Sequence, residues 1–366
     1  MAPYIILAII VFGFVLFEPK LTDKSRKKLF VLLGILLASF AVLRSPYSNM
    51  DCTTYRALYE KAPSLSILLE DIQKYNDSLL TEFSYSAFSS LLKETGNSEK
   101  TNLCIIYSFY VLLGVFFKLR GIYRLTDLKN LSLMIYFSNL FFLQELTQVR
   151  AGVAIGLVFI SIDYLQKKEY GKYLFTFFMA VFFHTSAFLT IILPLLKKVK
   201  ASLLIWGILI SFCVVVCVCE INIVNLVKVI PIDYFQFKLK AYIELQQLNA
   251  VKINYFNVMF LLQNFIIVLC FIYKDNLKDE NKNINLFINM CCLSTCCFLF
   301  FWQIPGFAFR ISEIFNSVLV ILIPMLVKFI KPKAVSELIV FIIGIGIFCF
   351  NVFLSDYVLE YKLLWN

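Results

Sequence analysis

Runs of about 15 to 24 apolar residues recur along nearly the whole chain, and short charged stretches separate them. They fall at 4–17, 29–43, 103–117, 130–143, 149–165, 173–196, 201–219, 253–273, 284–302, 311–327 and 334–354. A helix of about 20 apolar residues crosses a bilayer. The pattern therefore predicts an all-α, polytopic integral membrane protein with about 10–11 transmembrane helices. One membrane domain, residues 1–366, uses up the chain. Two long polar segments interrupt the rhythm, 44–102 and 220–252. No basic segment precedes the first run, and "FEPKLTDKSRKK" rather than a small-residue cleavage site follows it. It is read as an uncleaved first span.

The run 173–196 admits two paths. As one span it leaves Lys and Arg evenly divided, 18 on the side of residues 18–28 and 16 opposite. As two short helices turning at "HTS", it enters and leaves on the same side. The short loops 18–28, 118–129, 166–172, 197–200, 274–283 and 328–333 then carry 21 of the 34 cationic residues. Positive charge in short loops marks the cytoplasmic side, so a re-entrant helical hairpin is predicted here. Broken helices at membrane depth occur where they line protein or a water-filled cavity. The segments 44–102 and 220–252 then face outward, as does the hairpin tip.

Composition agrees: 60% of residues are hydrophobic, 16% are charged, and mean hydropathy is +0.81. The net charge of +10 is scattered through short loops, so it argues for topology and against nucleic acid. Ten of the eleven cysteines lie in apolar runs, including "CCLSTCC" at 291–297, where thiols act as small hydrophobes. No structural disulfide and no metal site is predicted.

That topology gathers the polar outliers on the outer face. Arg44 follows the second run, and Asp51, Tyr55 and Tyr59 come at i, i+4 and i+8, one face of a helix. Glu82 and Tyr85 sit in "TEFSYSAFSSLL", which reads as an amphipathic helix at the interface. Glu145, Gln148 and Arg150 lie between the fourth and fifth runs, and Arg310 opens the tenth. His184, the only histidine, is at the hairpin tip. Singly, each has an ordinary reading. Arg44 and Arg310 can snorkel to headgroups, Asp51 and Glu82 are loop acids, Glu145 and Arg150 can pair, and His184 can bond Ser186. Ionisable groups inside spans are nevertheless functional candidates.

As a set they point to one chemistry. Arginines grip phosphate as planar forks, and a neutral histidine or a carboxylate takes a proton from a hydroxyl. The substrate that fits is a lipid pyrophosphate carrying a sugar, attacked by an acceptor hydroxyl. There is no Gly-rich phosphate loop and no large cytoplasmic segment, which disfavours a nucleotide-sugar donor. No clustered D-x-D suggests a metal, and no cofactor is expected.

The series Arg44-x2-Tyr47-x3-Asp51-x3-Tyr55-x3-Tyr59, then Glu82 with Tyr85, "QVRAGVAIG", "FFHTSAFL" and "FRISEIF" resembles the EpsG/Wzy-like family of bacterial capsule, exopolysaccharide and O-antigen polymerases. The likeness runs over residues 30–330. It implies a GT-C-like polymerase/ligase architecture in the bacterial inner (cytoplasmic) membrane, multi-pass, with its active site facing the periplasm or outside. The implied donor and acceptor are undecaprenyl-pyrophosphate-linked oligosaccharides, the growing chain passing onto a new repeat unit without a metal. Arg150 and Arg310 would bind pyrophosphate with Arg44 helping, and the base would be His184, Asp51 or Glu82. Tyr55, Tyr85 and Gln148 would be sugar contacts. A chain-length regulator and a flippase are the implied protein partners. Two alternatives stand: a flippase for lipid-linked oligosaccharide, which would need polar groups along its whole depth, and an O-antigen ligase, which shares the donor and differs in acceptor.

Overall fold

In the computed structural model the described residues are 1–70, 76–223, 254 and 257–364, so most of the segment 220–252 lies outside them. Among them are seventeen α-helices and no β-strand. Local signals set many of the helix starts. Thr22, Ser98, Ser202 and Asn257 each accept a hydrogen bond from a backbone N–H in the first turn that follows, satisfying a donor that the helix leaves open.

Among the described residues each predicted run coincides largely with helix, and the all-α polytopic class stands. Four helices among the described residues are long and apolar enough to cross a membrane: Ala2–Lys20, Glu99–Leu125, Val149–Gln166 and Lys333–Leu354. Counting each bent pair as one span gives up to six. Those pairs are Val258–Ile272 with Lys274–Glu280, bent by 85°, and Pro305–Asn316 with Leu319–Lys328, bent by 47°. Helix length separates this number from ten full spans. Tyr170–Phe183, Leu203–Val218 and Ile284–Phe300 have 14 to 17 residues. At 1.5 Å per residue that is about 21–26 Å, against a hydrocarbon core of about 30 Å.

The run 173–196 is broken where charge placement predicts. Helix Tyr170–Phe183 ends at His184, which is extended (φ −153°, ψ 117°) and whose N–H bonds the Ala180 carbonyl at 2.9 Å. Thr185–Ile192 continues as a 3₁₀ helix. The Tyr173 hydroxyl donates to the Thr190 carbonyl at 3.4 Å, and the Phe177 and Phe188 rings are 6.2 Å apart. Along one straight helix, residues 173 and 190 would be about 25 Å apart, so the second arm doubles back on the first.

The chain packs as two compact units, Met1–Thr190 with Ile323–Asn366, and Ile191–Leu322. In the first unit α1 (Ala2–Phe17), α2 (Asp23–Val42), α3 (Cys52–Lys61), α4 (Leu65–Glu70), α5 (Asn76–Lys93), α6 (Glu99–Leu125) and α7 (Lys129–Tyr136) precede α8 (Val149–Gln166) and α9 (Tyr170–Phe183). The centre is α8, 83% of whose apolar window is buried. It approaches α6 closely because both helices carry glycine at the contact. A Cβ at Gly121 would strike Phe159, and one at Gly156 would lie 2.9 Å from the Lys118 backbone nitrogen. Small residues let helix backbones meet in this way. The segment near residue 362 lies across the end of α2: Ser45 N–H bonds the Lys362 carbonyl at 2.8 Å and Leu364 N–H bonds Leu43 at 2.9 Å. Tyr361 donates to the Phe40 carbonyl, and Tyr4 to that of Leu359, both at 2.9 Å.

The second unit is built on Ile284–Phe300. Asn289 on that helix accepts from the Trp206 indole at 2.7 Å and donates to the carbonyls of Leu196 and Val199. Gln263 donates to Thr295 at 3.0 Å. Such hydrogen bonds between helices are the polar glue of a membrane bundle. All eleven cysteines are free thiols.

Candidate functional site

The site grows out of the turn between α7 and α8. Beyond α7 the backbone widens to π geometry over Phe137–Glu145, then turns and restarts as α8 at Val149 with Gln148 as its N-cap. Three successive carbonyls in this turn accept from three side chains elsewhere. Tyr107 of α6 donates to Glu145 (3.1 Å), Arg44 to Leu146 (2.8 Å) and Asn49 to Thr147 (3.0 Å). Arg44 is fully buried, and its second terminal nitrogen donates to the Ser48 carbonyl. Its guanidinium thus ties the 44–48 segment to the turn.

Beneath the turn Glu145 pairs with Lys118 of α6, both fully buried, and accepts from the Tyr136 hydroxyl at 3.0 Å. Lys118 also donates to the Gly152 carbonyl at 2.7 Å, in the first turn of α8. The ordinary reading of Glu145, a pair with Arg150, gives way to the pair with Lys118. The carboxylate turns into the α6–α8 contact, where the absence of a Cβ at Gly114 leaves room for it.

Arg150, in the first turn of α8, is held over two tyrosine rings, 5.2 Å from the centre of Tyr55 and 5.8 Å from that of Tyr85. A cation over an aromatic face is attracted by the ring quadrupole. The predicted shared face of α3 is present: Asp51 stands at its N-cap position, and Tyr55 and Tyr59 are buried. The stretch "TEFSYSAFSSLL" is helical within α5, and Tyr85 donates to the Tyr55 carbonyl at 3.0 Å. Burial pushes the phenols of Tyr55 and Tyr85 up, with Arg150 partly offsetting it for Tyr55. Both stay neutral at physiological pH. Tyr47, Asn49, Cys52, Tyr55, Tyr85 and Val149 help to line a narrow cleft.

A ladder of rings runs from this region to Phe183, the residue before His184. Tyr55 and Tyr85 are 5.3 Å apart, Tyr85 and Tyr110 6.0 Å, and Tyr110 and Phe183 5.7 Å. The structure thus brings together Arg150, Tyr55 and Tyr85, with Asp51 at the start of α3 and Gln148 in the adjoining turn. It places Arg44 inside the turn's support. Arg310 lies in the second unit, on Pro305–Asn316. The side chain of Glu82 lies outside the described residues. Sequence reasoning missed Lys118, which it assigned to a basic loop, as well as Asn49, Tyr107 and Tyr136. The available signal was Gly152-x3-Gly156 just after Arg150, a spacing that brings a second helix close enough to bury an ion pair. Among the described residues no group of three or more His, Cys, Asp or Glu could hold a metal ion.

A model of the EpsG family matches residues 27–363, which takes in the turn, α8 and the hairpin. The chain belongs to the EpsG family. The EpsG family implies a polysaccharide polymerase-like role, carried here by a multi-pass membrane protein. No curated protein and no solved structure matches the chain.

Proposed function

We propose that this EpsG-family protein is a membrane-embedded glycosyltransferase of the bacterial cytoplasmic membrane, working at its outer face. Its donor is a glycan on undecaprenyl pyrophosphate, and its acceptor is a sugar hydroxyl of a new lipid-linked repeat unit. The acceptor oxygen attacks the anomeric carbon and the bond to pyrophosphate breaks. Undecaprenyl pyrophosphate leaves with the electron pair, and the hydroxyl proton passes to a protein base.

The observation that carries this reading is Arg150, a permanent cation held on Tyr55 and Tyr85 beside the cleft and in the first turn of α8. The positive end of the helix dipole adds to its pull on an anion. The tyrosine faces suit sugar rings, and Gln148 offers an amide. His184 is the favoured base, with Asp51 and Glu82 as alternatives. Arg310 is a further candidate for pyrophosphate, tested by its own variant.

The experiment is polymer length in the native host, comparing wild type, a deletion, Arg150→Ala, His184→Ala and Arg310→Ala at matched membrane levels. Charge-assisted hydrogen bonds are worth about 1.5–3 kcal/mol each, so losing two in Arg150→Ala lowers polymer formation on the order of 100-fold or more. Single repeat units on the cell, in the deletion and in Arg150→Ala alike, fit the proposal. Lipid-linked units trapped on the cytoplasmic face would make the protein a flippase, and finished polymer left unattached would make it a ligase.

A further inference from the structure

The Lys118–Glu145 pair lies wholly inside the first unit, and both side chains are inaccessible to solvent. Burying two charges is costly, and an apolar pair of similar volume is often as stable or more so. Stability alone therefore gives no reason for charges here. Their hydrogen bonds supply one. The ammonium group bonds the Glu145 carboxylate and also the Gly152 carbonyl, so it grips the backbone element on both sides of Arg150. Tyr136 holds the same carboxylate, and Tyr107 holds the Glu145 carbonyl. A cavity-filling apolar pair could occupy the volume but could not direct the backbone at positions 145 and 152.

We infer that Lys118 and Glu145 are positioning residues for Arg150: the pair fixes the first turn of α8 so that the guanidinium is presented to a lipid pyrophosphate. This rests on the reading of Arg150 as a pyrophosphate ligand. An arginine recognises phosphate by two parallel hydrogen bonds, so its contribution depends on orientation as well as charge. A site held by buried partners keeps that orientation before substrate arrives.

The test uses the full-length protein in lipid nanodiscs with farnesyl pyrophosphate as probe, its binding measured by calorimetry. Wild type, Arg150→Ala, the pair variant K118M/E145Q and the triple variant are compared, each checked by thermal melting. The expected result is a pair variant that melts close to wild type and binds at least tenfold more weakly. In the triple variant the pair substitutions add nothing to the loss from Arg150→Ala, because they act through Arg150. Binding by the pair variant equal to wild type overturns the inference, as do losses that multiply in the triple variant, which mark a general structural role. If the pair variant does not fold, Tyr136→Phe and Tyr107→Phe each remove one hydrogen bond and are read the same way: their weakening must vanish when Arg150 is alanine. Equal binding by wild type and Arg150→Ala would instead sink the pyrophosphate reading itself.

Discussion

Arg150 rests on two phenol rings that stay neutral, and the rings help to aim its guanidinium. A cation over an aromatic ring gains about 0.5–2 kcal/mol, enough to orient a side chain while leaving it able to bind an anion. Cys52 lines the same cleft and serves as a native reporter. Burial raises its thiol, with Arg56 working the other way. A raised thiol holds less thiolate at neutral pH, and the thiolate is the nucleophile. Alkylation by N-ethylmaleimide at pH 7 is therefore expected to be slower than for a free cysteine and to quicken as pH rises. Adduct formation should block activity, while Cys52→Ser should stay active and resist the reagent. Mass spectrometry with a parallel activity assay checks both, and a fully active adduct would remove the cleft from the substrate's path.

Among elements, the α6–α8 contact decides how closely the site is built. A Cβ at Gly152 would sit 3.0 Å from the Gln144 carbonyl and from the Glu145 carboxylate. Overpacking typically costs about 1–3 kcal/mol, so Gly152→Leu should lower the melting temperature in detergent. Gly207→Ala, where nothing lies within 4 Å, should match wild type or exceed it slightly, since alanine restrains the unfolded helix. Equal melting of both variants would discount this contact. The helices themselves were legible because spans announce themselves as apolar runs, and the break at His184 was legible because charge on either side demanded it. The shared face of α3 followed from a spacing of four. The π widening over Phe137–Glu145 was not legible, since no residue type encodes it. Nor was the burial of Lys118, because in sequence a lysine at the edge of an apolar run looks the same whether it faces headgroups or a carboxylate. Nor did the sequence show that the hydrogen bonds of Arg44 go to the carbonyls of Leu146 and Ser48. That depends on a turn a hundred residues away.

For the whole molecule, the sidedness of everything after residue 196 depends on whether the stretch 173–196 crosses the membrane or turns back. Reporter fusions after Lys168 and after Lys200 should give the same answer, fluorescent as green fluorescent protein and silent as alkaline phosphatase. A fusion after Asn97 should give the reverse. Opposite results at 168 and 200 would mean that the stretch crosses fully. Apolar length and composition are read directly from the chain, but sidedness depends on where each helix ends, which is why orientation needs this measurement. The first unit is also discontinuous: residues up to 190 are completed by Ile323–Asn366, whose segment near 362 pairs with residues 43–45. At about 5–20 residues per second, synthesis reaches that segment roughly ten to thirty seconds after Thr190 has been made. During that interval the newborn helices around Arg44 sit in the membrane with their last neighbour missing. The order of manufacture thus leaves the nascent chain dependent on whatever shelters half-built bundles as they leave the translocon.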